Sequence, residues 1–186
     1  MPVRPSRPLT AARLEAAALH YLERFATSSG HLRQVLLRRV ERSVRQHGTD
    51  RQEGVALVET LIGRFLSNGL LDNDAYAQAR TAGLHRRGKS ARGIAAALAA
   101  RQVEPELIRA VLDAQDEHRP GGDLAAAAAL ARRRRLGPFR PPALREALRA
   151  RDLAAFARAG FARRVAETVL ACADPEAVAA LLVTES

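Results

Sequence analysis

The chain has no tryptophan, and its aromatic residues amount to 4% of 186 positions. A core built here must therefore be aliphatic. No window alternates β-branched and polar residues in the way that a half-buried strand requires. Cys172 is the only cysteine, so no disulfide can form within the chain, which fits a reducing compartment. The longest apolar runs, such as 125–131, are short and alanine-rich, far below the length that spans a bilayer. Residues 1–8 are rich in Pro and Arg and lead into no apolar segment. They are read as neither a secretory nor a lipidation signal, and the expected location is the cytoplasm, with no membrane partner. Lysine is almost absent as well, since Lys89 stands alone.

Metal and catalytic constellations are equally scarce. His20, His31, His47, His85 and His118 show neither H-x-x-x-H nor H-E-x-x-H spacing, and no cysteine pair accompanies them. They are read as surface or loop residues. Gly88-Lys89-Ser90 has the ending of a phosphate loop, but Gly83 upstream falls inside a helical pattern and no strand precedes it. Asp72, Asp74 and Asp123 sit where helix caps are needed, and capping accounts for them. Cys172 lies on an apolar stripe and reads as core. No catalytic residue, cofactor or metal ligand is expected.

What is abundant is alanine, leucine and arginine. Hydrophobic residues make up 47% of the chain, and the alanine content favours helix because that side chain loses no rotamer entropy. The class is all-α. Apolar residues recur at helical spacing at Leu14, Ala18, Tyr21, Leu22 and Phe25, then Leu32, Leu36 and Val40, then Val58, Leu61, Ile62 and Phe65. Thr10 caps the first of these stripes. Asp50 with Glu53 opens the third as a capping-box-like pair, and Asn68-Gly69 stops it. The pattern restarts at Asp72, passes a break at Gly88–Ser90 with Ser90 as cap, and continues through Ile94 and Leu98 to Glu104-Pro105. Asp123 caps a seventh helix. An eighth runs to Gly160, with a possible break near Asp152, and a ninth carries Val165 and Val169. Asp174-Pro175 starts a short last one.

Three helices three times over is an internal repeat. A shift of 62 carries Arg24, Ser28, Leu32 and Leu36 onto Arg86, Ser90, Ile94 and Leu98. A shift of 58 carries Leu98, Val103, Leu107, Val111 and Leu112 onto Phe156, Phe161, Val165, Val169 and Leu170. An insertion near 43–49 lengthens the first unit. The expected division is a disordered arm at 1–9, repeats at 10–69, 70–118 and 123–172 with a linker at 119–122, and a short helix or tail at 173–186.

The formal net charge is +10, which points to an anionic partner: nucleic acid, a membrane surface or an acidic protein. The near-exclusive use of arginine fits bidentate anion binding or a coding bias, and the charge stands under either. Arg86, Arg87, Lys89, Arg92 and Arg101 run without an intervening acid. A second cluster is Arg132, Arg133, Arg134 and Arg135, followed by Arg140, Arg145, Arg149 and Arg151. A third is Arg38, Arg39, Arg42 and Arg45. Taken singly, each arginine fits the solvated face of a helix. Together they suggest a basic stripe that can follow a phosphate backbone. Tyr21, Phe25, Phe65, Phe156 and Phe161 read as core, so base stacking is not expected.

Asn68-Gly-Leu-Leu-Asp72-Asn-Asp74-Ala-Tyr76-Ala, followed by Arg86-Arg-Gly88-Lys-Ser90-Ala-Arg92-Gly-Ile94-Ala-Ala-Ala-Leu98, resembles the central signature of the RecX family. The segments 18–36 and 156–170 resemble its first and third units, so the likeness covers roughly Thr10 to Leu170. Two departures are Asn73, which interrupts the usual acidic pair, and Gln102, where the second unit usually has glycine. The resemblance implies three tandem three-helix repeats in an elongated, curved helical array. It also implies a non-enzymatic, monomeric regulator without cofactors. Such a regulator binds the groove of the RecA recombinase filament, touches single- or double-stranded DNA without sequence preference, and restrains recombinase, ATPase and coprotease activities in DNA repair and the SOS response. Arg86, Arg87, Lys89, Arg92 and Arg132–Arg135 are the expected contacts, from their charge and position. The alternatives are a transcription-factor-like DNA-binding protein, which footprinting would reveal, and a purely protein-binding scaffold, which would lack salt-dependent DNA affinity.

Overall fold

The computed structural model describes residues 9–118 and 122–184. Among them it holds ten α-helices, one 3-10 turn and no strand. The helices are α1 (Ala11–Leu22), α2 (Ser29–His47), α3 (Arg51–Ser67), α4 (Asn73–Arg86), α5 (Ala91–Ala99), α6 (Pro105–His118), α7 (Gly122–Arg134), α8 (Pro142–Ala159), α9 (Arg163–Ala171) and α10 (Pro175–Thr184), with the 3-10 turn at Gly137–Phe139. The expected arm and linker lie outside the described residues, save Leu9 and Gly122. The Leu9 N–H donates to Ser43 Oγ at 3.1 Å, and its side chain packs on the core.

The helix starts follow the side chains that cap them. Thr10, Ser28, Asp50 and Ser90 each accept the N–H three residues on. Asp72 does the same for Ala75 at 2.8 Å, and Asp174 for Ala177 at 2.8 Å. Gly48 and Gly160 end α2 and α8 in the left-handed conformation. The insertion near 43–49 does not make a loop. It makes α2 longer, 19 residues against 9 in α5. α8 is continuous through Asp152, contrary to the break expected there.

The chain forms two compact units. The first takes the residues up to Tyr76, with Arg101–Val103. Its core is Leu14, Ala18, Leu32, Leu36, Val40, Val58, Leu61, Ile62, Phe65 and Leu71, all from α1–α3 and the turn after them. Each of these Leu, Val, Ile and Phe side chains contributes about 1.5–3 kcal/mol on leaving water, before the entropy of ordering it. The second unit takes Ala77–Ala100 and the chain from Glu104. Its core joins α7, α8 and α9 through Ala126, Ala127, Leu130, Leu136, Phe156, Phe161 and Val169. Phe156 and Phe161 meet edge to face at 5.9 Å.

Within each unit one turn is bolted to another, and the bolts are equivalent. In the first, buried Ser28 caps α2 and its hydroxyl donates to the Arg101 carbonyl. In the second, buried Ser90 caps α5 and donates to the Ala159 carbonyl at 3.2 Å. The two serines are related by the shift of 62, the two carbonyls by the shift of 58. A second tie repeats too. The Ser29 N–H donates to Asn73 Oδ1 at 2.8 Å, and the Ala91 N–H to Asp123 Oδ1 at 2.7 Å. Asp123 therefore serves the start of α5, not its own helix as expected. Asn73 adds a bond from its Nδ2 to Ser29 Oγ at 2.9 Å, so this departure from the family pattern is a working junction, and Asp72 keeps the cap.

Candidate nucleic-acid interface

The central basic cluster is positioned by a buried turn. Gly88 has φ +70° and sits so close to α7 that a Cβ there would lie 2.8 Å from the Ala126 carbonyl oxygen and the Leu130 amide nitrogen. Ser90, two residues on, is fixed by its own bolt. Between these anchors Lys89 is half-buried, while Arg86, Arg87 and Arg92 are exposed. Leu130 also leads directly into the second cluster. Arg132, Arg133, Arg134 and Arg135 follow on the same helix and just past its end, and all four are exposed. The start of that run lies about 3 Å along the axis from the residue that Gly88 touches. Thus the backbone brings the two sequence-predicted clusters to neighbouring stretches of α7. Among the described residues none of them pairs with a carboxylate. Arginines at a helix C-terminus also oppose the partial negative charge of the last carbonyls.

The third cluster, Arg38, Arg39, Arg42 and Arg45, is exposed on α2 in the other unit. Arg140 and Arg145 do not belong to any stripe. The Arg140 guanidinium donates to Asp152 Oδ1 at 2.8 Å, and Asp152, 1% exposed, also accepts the Gly137 N–H at 2.9 Å. Arg145 donates to the carbonyls of Pro138, Arg140 and Ala173. Both arginines hold the 3-10 turn, a role that the basic run in the sequence did not signal. Beside Arg132 and Arg133 runs an apolar groove of about 710 Å³ between α7 and α10, lined by Ala125, Ala128, Phe139, Val178 and Leu182.

In the first unit the structure assembles a group that sequence patterning assigned to the core. Phe25 is 54% exposed. Its ring stands 5.1 Å from that of half-buried Tyr21, and Tyr21 stands 6.4 Å from the His31 ring. Arg101 Nη1 lies 3.0 Å from His31 Nε2, so the imidazole accepts there and carries its proton on Nδ1, which has no partner. Burial, then the charges of Arg101 and Arg38, hold His31 below its ordinary pKa. The periodicity at Tyr21 and Phe25 gave no warning, because α1 ends at Leu22 and the stripe leaves the helix before Phe25.

Of the histidines expected at the surface, His31 and His85 are half-buried; His85 Nε2 lies 2.9 Å from the Gly122 carbonyl oxygen. Cys172 is half-buried at the end of α9, and burial followed by Asp174 raises its thiol pKa. Among the described residues no group of His, Cys, Asp and Glu could hold a metal ion, and no helix is long and apolar enough to cross a membrane. The exposed groups are guanidiniums, which bind anions bidentately and exchange no proton near neutrality.

The family described as RecX, second three-helix domain, matches residues 72–112, which run from the Asp72 cap through the Gly88–Ser90 turn into α6. The chain is 46% identical over 171 residues to the Regulatory protein RecX of Myxococcus xanthus (strain DK1622), covering 91% of this chain and 89% of that one. It is 31% identical over 161 residues to the Regulatory protein RecX of Agrobacterium fabrum (strain C58 / ATCC 33970), covering 87% and 83%. No solved structure matches. With relatives at these identities along nearly the whole of its length, the chain belongs to the RecX family, a family of regulatory proteins and not of enzymes.

Proposed function

We propose that this protein binds the RecA–DNA filament and restrains its recombinase, ATPase and coprotease activities, as a cytoplasmic monomer in DNA repair and the SOS response. The observation that carries the reading is the set of exposed cations that have no carboxylate partner among the described residues, Arg86, Arg87, Arg92 and Arg132–Arg135 with half-buried Lys89, in a chain of this family. They are the proposed contacts to the filament and to single- or double-stranded DNA without sequence preference. The proposed frame is three three-helix repeats, at 10–69, 70–118 and 123–172, between an arm at 1–9 and a short tail from 173, with a linker at 119–122. The repeated serine and Asn/Asp ties support that frame: the serine bonds recur at the offsets of 62 and 58, and an amide just after each serine is held by an Asn or Asp carbonyl or carboxylate oxygen.

The test is ATP hydrolysis by the cognate RecA-type recombinase on single-stranded DNA, with this protein added below stoichiometry. A strong drop is expected, together with its loss in a variant carrying Arg86, Arg87, Lys89 and Arg92 all changed to Ala. No drop with the cognate recombinase overturns the proposal. A drop that survives the quadruple change removes those residues from the contact set.

A further inference from the structure

We infer that Tyr21 and Phe25, flanked by Arg24, Arg38 and Arg101, form a stacking site for the bases of single-stranded nucleic acid. The inference rests on the proposed function only in taking Arg86 and Arg87 as contact residues. Four observations lead to it. An aromatic ring that is 54% exposed, with a second ring 5.1 Å away, is an apolar surface that water solvates poorly and a base can cover. Arg24 is adjacent to Phe25 and exposed. Arg101 is held at the edge of the aromatic group by His31, and Arg38 stands on α2 about two turns beyond His31. Among the described residues none of these arginines pairs with a carboxylate. The nearest acid along the chain, Glu23, has its carboxylate 3.6 Å from His20 Nδ1.

The repeat supplies the fourth. The shift of 62 that carries Ser28 onto Ser90 carries Arg24 onto Arg86 and Phe25 onto Arg87. Both serines are buried caps with corresponding partners, and the residues at these offsets, Arg24 and Phe25 before one and Arg86 and Arg87 before the other, are all exposed. One repeat offers Arg-Phe there and the next Arg-Arg. Stacking faces interleaved with cations are the means by which proteins hold single strands without reading sequence. Any base has a π-face, and the arginines neutralise the phosphates beside it. A protein partner would instead need acidic side chains set among apolar ones, which is the other outcome of the test.

The test uses the full chain and two fluorescein-labelled probes read by anisotropy: a 20-nucleotide oligodeoxythymidine and an abasic strand of equal length. Phe25→Ala is expected to weaken binding of the oligodeoxythymidine by about five- to tenfold and binding of the abasic strand by less than twofold. Because the natural chain has no tryptophan, Phe25→Trp gives a single reporter, expected to keep wild-type affinity and to be quenched by the base-bearing strand alone. Equal affinity of wild type and Phe25→Ala for oligodeoxythymidine, equal losses on both probes, or an unquenched Phe25→Trp at saturation would each overturn the inference. So would a Phe25→Ala chain that loses filament binding while keeping the oligonucleotide, since the site would then be a protein contact. Recombinase inhibition is scored separately. Its absence beside a quenched Phe25→Trp would refute the proposed function and leave the stacking site standing.

Discussion

Removing the Asp152 carboxylate tests whether the 3-10 turn at Gly137–Phe139 is held by charge. Asp152 is 1% exposed on α8, accepts the Gly137 N–H at 2.9 Å and takes the Arg140 guanidinium at 2.8 Å. Arg140 is 19% exposed. In Asp152→Ala the Gly137 N–H loses its acceptor inside the protein and Arg140 loses its counter-charge. Breaking such a buried pair from one side costs about 3–5 kcal/mol. The lower end applies here, because Arg140 can swing its head into water whereas the Gly137 amide cannot. Arg140→Ala should cost as much or more, since it strands the less exposed partner. Asp152→Asn keeps an acceptor for Gly137 and should recover roughly 1–2 kcal/mol of the loss. The assay is urea unfolding followed by circular dichroism at 222 nm, with the double variant closing the cycle. For a chain of this size about 3 kcal/mol lowers Tm by roughly 6–12 °C. A loss below about 1 kcal/mol in both single variants, or strict additivity in the double one, would refute the claim that the pair and the turn depend on each other.

Three further outcomes follow from the same structure. Gln102 and Gly160 occupy equivalent positions at φ 54° and φ 93°, so Gln102→Gly should stabilise by up to ~1 kcal/mol through relief of left-handed strain. By contrast Gly160→Ala should cost about 2 kcal/mol or more, since its Cβ would fall 2.5 Å from Ser90 Oγ; thermal melts of the pair should move in opposite directions. His31 titrates below its ordinary 6.5 in the folded chain because of burial and then Arg101 and Arg38. The unfolded chain therefore takes up the proton first, and His31's share of stability, complete above pH 6.5, is lost as pH falls from 6.5 through the lowered folded value. Tm measured between pH 7.5 and 5 should fall more in wild type than in His31→Gln, and parallel curves would contradict this. Finally, Cys172 should be alkylated by iodoacetamide at pH 7 more slowly than a free cysteine, because burial and Asp174 raise its thiol pKa. Mass spectrometry of the native and the urea-unfolded protein gives the ratio.

What could be read from the sequence was whatever is local or periodic. The caps at Thr10, Asp50, Asp72 and Ser90 need only a side chain and an amide three residues away, and all form. The offsets of 62 and 58 carried real content as well. Each pair they match is equally deep: Leu98 and Phe156, Val103 and Phe161, and Val111 and Val169 are buried, while Leu107 and Val165 are half-buried. What was hidden depends on partners far along the chain. Asp123 is within sight of its own helix start, and nothing local says that its carboxylate is 2.7 Å from the Ala91 amide. Arg140 and Arg145 look like any arginine in a basic run until Asp152 and three carbonyls claim them. Phe25 failed for a related reason: a stripe argument assumes that the helix continues, and here it stops three residues short. The same logic sorts the basic residues by what they can do. A guanidinium held by a buried acid or by backbone carbonyls has its donors committed, so Arg140 and Arg145 stabilise the fold. Arg86, Arg87, Arg92 and Arg132–Arg135 are exposed and carry no such commitment among the described residues, which leaves their donors for an anion from a partner.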